Sequence, residues 1–288
     1  MRSAALLSER GKTMAFERPL VIIHGMWGRP QEMAPLAERL AAPGPVLMPT
    51  LIAHERRPVP EERLRFAALV DDVHEQARAA GIESAHVIGY SLGGYIALYL
   101  ARHRPDFVAS LVSIAGKIEY GEKSLAHILG LLSPERAEAN IKPRAPDQYE
   151  IVMENIGIRM ARTAELFEEI TREPPLDHGE LKRIATPALV CTGEEDRFMK
   201  GAEARRIAAS LRCAQPVTWA GRSHPFETVP LATLAPIIRL FFAQCEAGSY
   251  RPPEGGGEQL RLKAKGEAPA AQSPEAMVDA PGLEPGTR

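Results

Sequence analysis

Short apolar runs rich in β-branched residues alternate along this chain with longer segments whose apolar positions recur every three or four residues. Parallel sheets built from βαβ units need that alternation, because each strand is covered on both faces while each crossover helix buries one stripe. Strands are predicted at Leu20 to His24, Val46 to Met48, Ala85 to Tyr90, Val108 to Ala115, Ala188 to Thr192 and Pro216 to Ala220, six in all and all parallel. Helices are predicted over Gln31 to Ala41, closed by Pro43-Gly44, and over Gly94 to His103, ended by Pro105. A third helix covers Glu61 to Ala80, where Leu64, Ala67, Ala68, Val73 and Ala77 share a face and Gly81 follows as a stop. The fold class is α/β, a mostly parallel sheet of about six strands with helices on both faces.

Two stretches break the rhythm. Between Ala115 and Ala188 lie about 70 residues with helical periodicity and no strand signal, too many for an ordinary connection, and they predict a helical lid inserted at about 117–184. In it Leu125, Ile128, Leu129 and Leu132, then Val152, Ile156 and Met160, fall on helical faces; most such residues pack on a core, and some are candidates to line an apolar acyl pocket. Residues 247–288 hold 13 Pro plus Gly in 42 positions with Tyr250 as the only aromatic, which predicts a disordered tail. With a flexible N-terminus at 1–17, the folded domain is placed at 18–246. No internal repeat is visible.

Composition narrows the function. The 35 Lys plus Arg against 37 Asp plus Glu leave a net charge of -2, with no basic footprint for nucleic acid or an anionic membrane, so the expected partner is a small molecule, uncharged overall. Cys191, Cys213 and Cys245 are widely spaced and odd in number, indicating neither a disulfide framework nor a metal site, and a cytoplasmic location fits them best. At the N-terminus only Ala4 to Leu7 are apolar, too short for a signal peptide or a membrane span, and Met14 offers an alternative start. The sequence is silent on oligomeric state.

The chemistry is concentrated at four strand ends. VIGYSLGGY runs an apolar strand into a serine flanked by glycines and out into a helix, so the turn drives Ser91 toward strained backbone angles while Gly89 and Gly93 remove side chains that would clash. The bland alternative is a glycine-rich turn whose serine caps the helix. After the first strand comes His24-Gly25-Met26-Trp27-Gly28, a loop able to bring a backbone N–H toward Ser91; Met26 is the preferred donor beside the Leu92 N–H, and Trp27 the reserve. PALVCT ends in Gly193-Glu194-Glu195-Asp196-Arg197, and PVTWA ends in Gly221-Arg222-Ser223-His224-Pro225. In a parallel sheet all four loops share the carboxyl edge.

Through HGMWG, GYSLGG, TGEEDRF and GRSHPFE, over roughly residues 18 to 245, the chain resembles the α/β-hydrolase superfamily, in particular its lidded serine esterases and lipases. That resemblance implies Ser91 as nucleophile, His224 as general base and then acid, Asp196 as the carboxylate orienting it, Met26 and Leu92 as the oxyanion hole, and no metal or other cofactor. Rivals to Asp196 are Glu194, Glu195 and Glu119. Of the seven other histidines, His24 reads as a hydrogen-bonded residue of the oxyanion loop, while His54, His74, His86, His103, His127 and His178 lie in polar or helical stretches where a solvated surface role is the default. Trp27 and Tyr90 are candidates for the pocket wall, Trp27 equally for packing beneath the lid.

Two departures stand out. Only about 17 residues precede the first strand, so the antiparallel pair usual in the family is reduced, and Pro49-Thr50-Leu51-Ile52-Ala53-His54-Glu55 replaces a Gly-His-Gly turn common among relatives. The implied reaction is acyl-enzyme hydrolysis of a small to medium carboxylic ester with an apolar part. Alternatives on the same residues are a C–C bond hydrolase, a lyase or a perhydrolase, and outside catalysis a ligand receptor on this fold. Dehalogenase and epoxide hydrolase chemistry needs a carboxylate where this chain has Ser91.

Overall fold

A computed structural model describes residues 15–144, 146, 149–220, 224–252 and 260–262. Among the described residues seven strands form one parallel sheet: β1 (Leu20–Ile23), β2 (Val46–Leu47), β3 (Ala85–Tyr90), β4 (Val108–Ile114), β5 (Ala188–Gly193), β6 (Ala214–Trp219) and β7 (Leu260–Leu262), in the order β2-β1-β3-β4-β5-β6-β7. The central strands β1, β3 and β5 are buried along their whole length, as near-continuous apolar runs demand. Crossover helices α1 (Pro30–Leu40), α2 (Phe66–Ala79), α3 (Leu92–His103), α9 (Gly201–Ser210) and α10 (Leu231–Glu246) join them. Five helices, α4 (Glu122–Leu131), α5 (Pro134–Arg144), α6 (Tyr149–Glu154), α7 (Ile156–Arg172) and α8 (His178–Leu181), form an insertion between β4 and β5.

Three parts of the fold differ from the sequence reading. A seventh strand lies within the segment taken as a disordered tail: β7 pairs with β6 at Val217↔Leu260 and Trp219↔Leu262, burying Leu262. Tyr250 is buried as well, its ring edge-on to Phe241 at 4.8 Å. Residues 253–259 and 263–288 of that tail lie outside the described residues. At the other end Phe16, assigned to a flexible N-terminus, is buried against His86 and Phe242, and the Glu17 and Arg18 amides donate to the Glu246 carboxylate at 2.8–3.1 Å; residues 1–14 are not described.

Third, α2 begins at Phe66 rather than Glu61. The carbonyls of Pro60 and Glu61 accept from the Arg162 guanidinium on α7, so these acceptors are satisfied by a side chain a hundred residues away instead of a helical turn. Among the described residues no helix is long and apolar enough to cross a membrane.

Candidate active site

Ser91 stands between β3 and α3, as the helix N-cap, at a corner with no slack. Its backbone has φ 53° and ψ -117°, a sparsely populated combination that costs of order 1–3 kcal/mol and persists only when the surroundings enforce it. They do so by close backbone approach: a Cβ on Gly89 would lie 2.0 Å from the Gly93 carbonyl oxygen, and one on Gly93 would lie 2.3 Å from that of Ile23. The Ser91 N–H is anchored to the Ile114 carbonyl at 2.8 Å.

His224 and Asp196 arrive from the loops after β6 and β5. The His224 Nε2 lies 3.0 Å from Ser91 Oγ, and the Nδ1–H donates to Asp196 Oδ2 at 2.8 Å. That second bond fixes the tautomer, leaving Nε2 as the acceptor for the serine proton. Asp196 is 3% exposed, and its other oxygen accepts the Phe198 and Met199 amides at 2.8 Å each, so three donors compensate the buried carboxylate. The rivals stand elsewhere. Glu119 accepts from Arg206 and His178, Glu194 faces Arg261 at 3.7 Å, and Glu195 is exposed.

Tyr90 was a candidate for the pocket wall; here its hydroxyl donates to the His224 carbonyl at 2.6 Å and its ring packs on Phe226, so it props the loop carrying His224. Phe198 contributes a second support, its ring 4.8 Å from that of His224. No pattern around either aromatic in the sequence distinguishes it from an ordinary core residue.

The loop after β1 lies against the serine, since a Cβ on Gly25 would be 3.1 Å from the Ser91 Cβ. Its shape is held by two histidines. His24 donates from Nδ1 to the Gly25 carbonyl at 2.8 Å and accepts the Leu51 N–H at 3.2 Å, while His54 donates to the Ile52 carbonyl and accepts the Trp27 N–H, both at 2.9 Å. Both acceptor roles need neutral rings. Burial pushes His24 down to about 3, helped by His54, and burial also pushes His54 down to about 4.

His54 is therefore buried, not the solvated surface residue its polar neighbours suggested, and His86 is likewise fully buried between Ser110 and Glu246. Because the Trp27 N–H is taken by His54, Met26 rather than Trp27 keeps an uncommitted amide; among the described residues neither the Met26 nor the Leu92 N–H has a hydrogen-bond partner. The Trp27 indole N–H donates to Thr163 on α7 at 3.1 Å, which puts the ring beneath the insertion, and Arg159 of α7 clasps the Ala53 and Glu55 carbonyls.

The model of the alpha/beta hydrolase family matches residues 20–236. The chain belongs to that family. Among curated relatives of this hydrolase, the thermostable monoacylglycerol lipase of Bacillus sp. (strain H-257) is 29% identical over 184 residues, 62% of this chain and 71% of that one. Among the solved structures that share its fold are two hydrolases of different chemistry. The thermophilic esterase of Thermogutta terrifontis is 18% identical with a TM-score of 0.63, covering 80% of this chain and 91% of its own. The 2-hydroxy-6-oxo-6-phenylhexa-2,4-dienoate hydrolase of Rhodococcus sp. strain RHA1 is 20% identical with a TM-score of 0.62, covering 78% and 90%.

Proposed function

We propose that this hydrolase cleaves a carboxylic ester through an acyl-enzyme on Ser91. The observation that carries the reading is the unbroken run from Asp196 Oδ2 through both nitrogens of His224 to Ser91 Oγ, at 2.8 and 3.0 Å. His224 takes the hydroxyl proton as Ser91 Oγ attacks the ester carbonyl, and Asp196 stabilises the imidazolium that forms. The Met26 and Leu92 amides are the oxyanion donors, one from the loop against the serine and one from the first turn of α3. Collapse of the tetrahedral intermediate expels the alcohol, protonated by His224, and a water activated by the same ring releases the acid. The insertion α4–α8 acts as the lid, tied to the oxyanion loop through Trp27 and Thr163.

The relationship to a monoacylglycerol lipase favours an ester over a C–C bond, and a small molecule with an apolar part over a polymer. The test is hydrolysis of p-nitrophenyl esters of increasing acyl length. Ser91→Ala is expected to lower turnover by on the order of 10⁶ with an unchanged melting temperature, whereas ester hydrolysis undiminished in that variant overturns the reading.

A further inference from the structure

Next to Phe198, whose ring packs on His224, lies a half-open cavity of about 360 Å³ whose charge is opposite to that of the chain as a whole. Lys117, Lys123, Arg197 and Lys200 line it, and Glu203 is the carboxylate in its wall. That carboxylate is already committed, to the Lys117 ammonium at 2.6 Å and to the Glu119 amide at 3.2 Å. Glu119 is itself held by Arg206 and His178, and the exposed Glu122 and Glu195 do not line the cavity. Lys123 and Lys200 are exposed and, among the described residues, have no carboxylate within ion-pair distance.

Position gives the charge its meaning. Phe198 is in the cavity wall, and its ring centroid lies 4.8 Å from that of His224 and 5.0 Å from that of His127, another wall residue. Phe198 therefore touches both the cavity and the ring that faces Ser91. The cavity also lies at the N-terminal ends of α4 and α9, to which Ser124 and Lys200 belong as third residue and N-cap, and neither end has a side-chain cap. Cations, a hydroxyl and two helix N-termini together form the chemistry that holds a carboxylate or a phosphate.

We infer that this cavity is an anion subsite of the substrate pocket, so that the preferred ester carries a carboxylate or phosphate on one of its two halves. The inference rests on the serine-hydrolase reading and replaces the uncharged substrate suggested by net charge alone. Two pairs of esters separate the halves: p-nitrophenyl butyrate against p-nitrophenyl hemiglutarate places the anion on the acyl side, and 1-butyrylglycerol against its 3-phosphate places it on the alcohol side. In Lys123→Gln/Lys200→Gln the ratio of kcat/KM for the anionic over the neutral member is expected to fall at least about tenfold in one pair, carried by KM. The responding pair identifies the half. A ratio held within about twofold in both pairs overturns the inference. A second readout is independent of turnover: inorganic phosphate should raise the melting temperature of Ser91→Ala, and adding the two lysine substitutions should remove that rise. Equal stabilisation of both proteins overturns the subsite even if no ester is cleaved, and that absence of cleavage counts against the hydrolase reading alone.

Discussion

Acidification should strip this fold of stability well before its carboxylates titrate. His24, His54 and His86 are buried and neutral, burial pushing them from 6.5 down to about 3, about 4 and about 4. The sign follows from the direction: a depressed histidine pKa means that the unfolded chain binds the proton first, so the stability is present above pH 6.5 and is lost as the pH falls toward 4. Between pH 7 and pH 5 each unfolded imidazole gains most of a proton that its folded counterpart refuses, costing about 1.8 kcal/mol per residue and about 5 kcal/mol for three. Glu203, whose pKa burial raises, works the other way, but it is one group against three. The loss is large against a total of about 5–15 kcal/mol. Urea unfolding at pH 7 and pH 5, followed by fluorescence of the buried Trp219, measures it. Free energies agreeing within about 1 kcal/mol would mean that these rings exchange protons with solvent in the folded state, and the hydrogen-bond assignments around Gly25 and Trp27 would fall with that result.

Asp196→Asn should leave the melting temperature nearly unchanged while lowering kcat by on the order of 10⁴, because the amide fits the site but favours the wrong histidine tautomer; Glu119→Gln, measured in the same assay, should be nearly silent. Gly93→Ala drives a methyl group into the Ile23 carbonyl and should destabilise the protein by about 3 kcal/mol or prevent folding, read from thermal melts and soluble yield. A chain ending at Glu246 loses the burial of Tyr250 and Leu262 and should be about 3–5 kcal/mol less stable than the full chain by urea unfolding.

What could be read from sequence was what one strand or one loop encodes by itself. β1, β3, β4 and β5 announce themselves as apolar runs, and Ser91, Asp196 and His224 stand just past strand ends, where a parallel sheet collects its loops on one edge. Hidden features depend on distant partners. β7 is three residues long within a Gly- and Pro-rich stretch, and only the open edge of β6 makes Leu260–Leu262 a strand. Phe16 is a lone aromatic until His86 and Phe242 close around it. His54 sits among charged residues, yet its ring turns inward to the Trp27 amide, and the late start of α2 depends on Arg162 of α7. The basic cavity is invisible for the same reason, since Lys117, Lys123 and Lys200 are spread over more than eighty positions.

The central claim is that a single serine is activated by a single histidine. Treating the folded protein with a fluorophosphonate and locating the adduct by peptide mass spectrometry tests it directly. The proposed mechanism yields one adduct, on Ser91 among 12 serines, formed by the wild type and lost in both Ser91→Ala and His224→Ala. An adduct on another serine, or full labelling of Ser91 without His224, would contradict it.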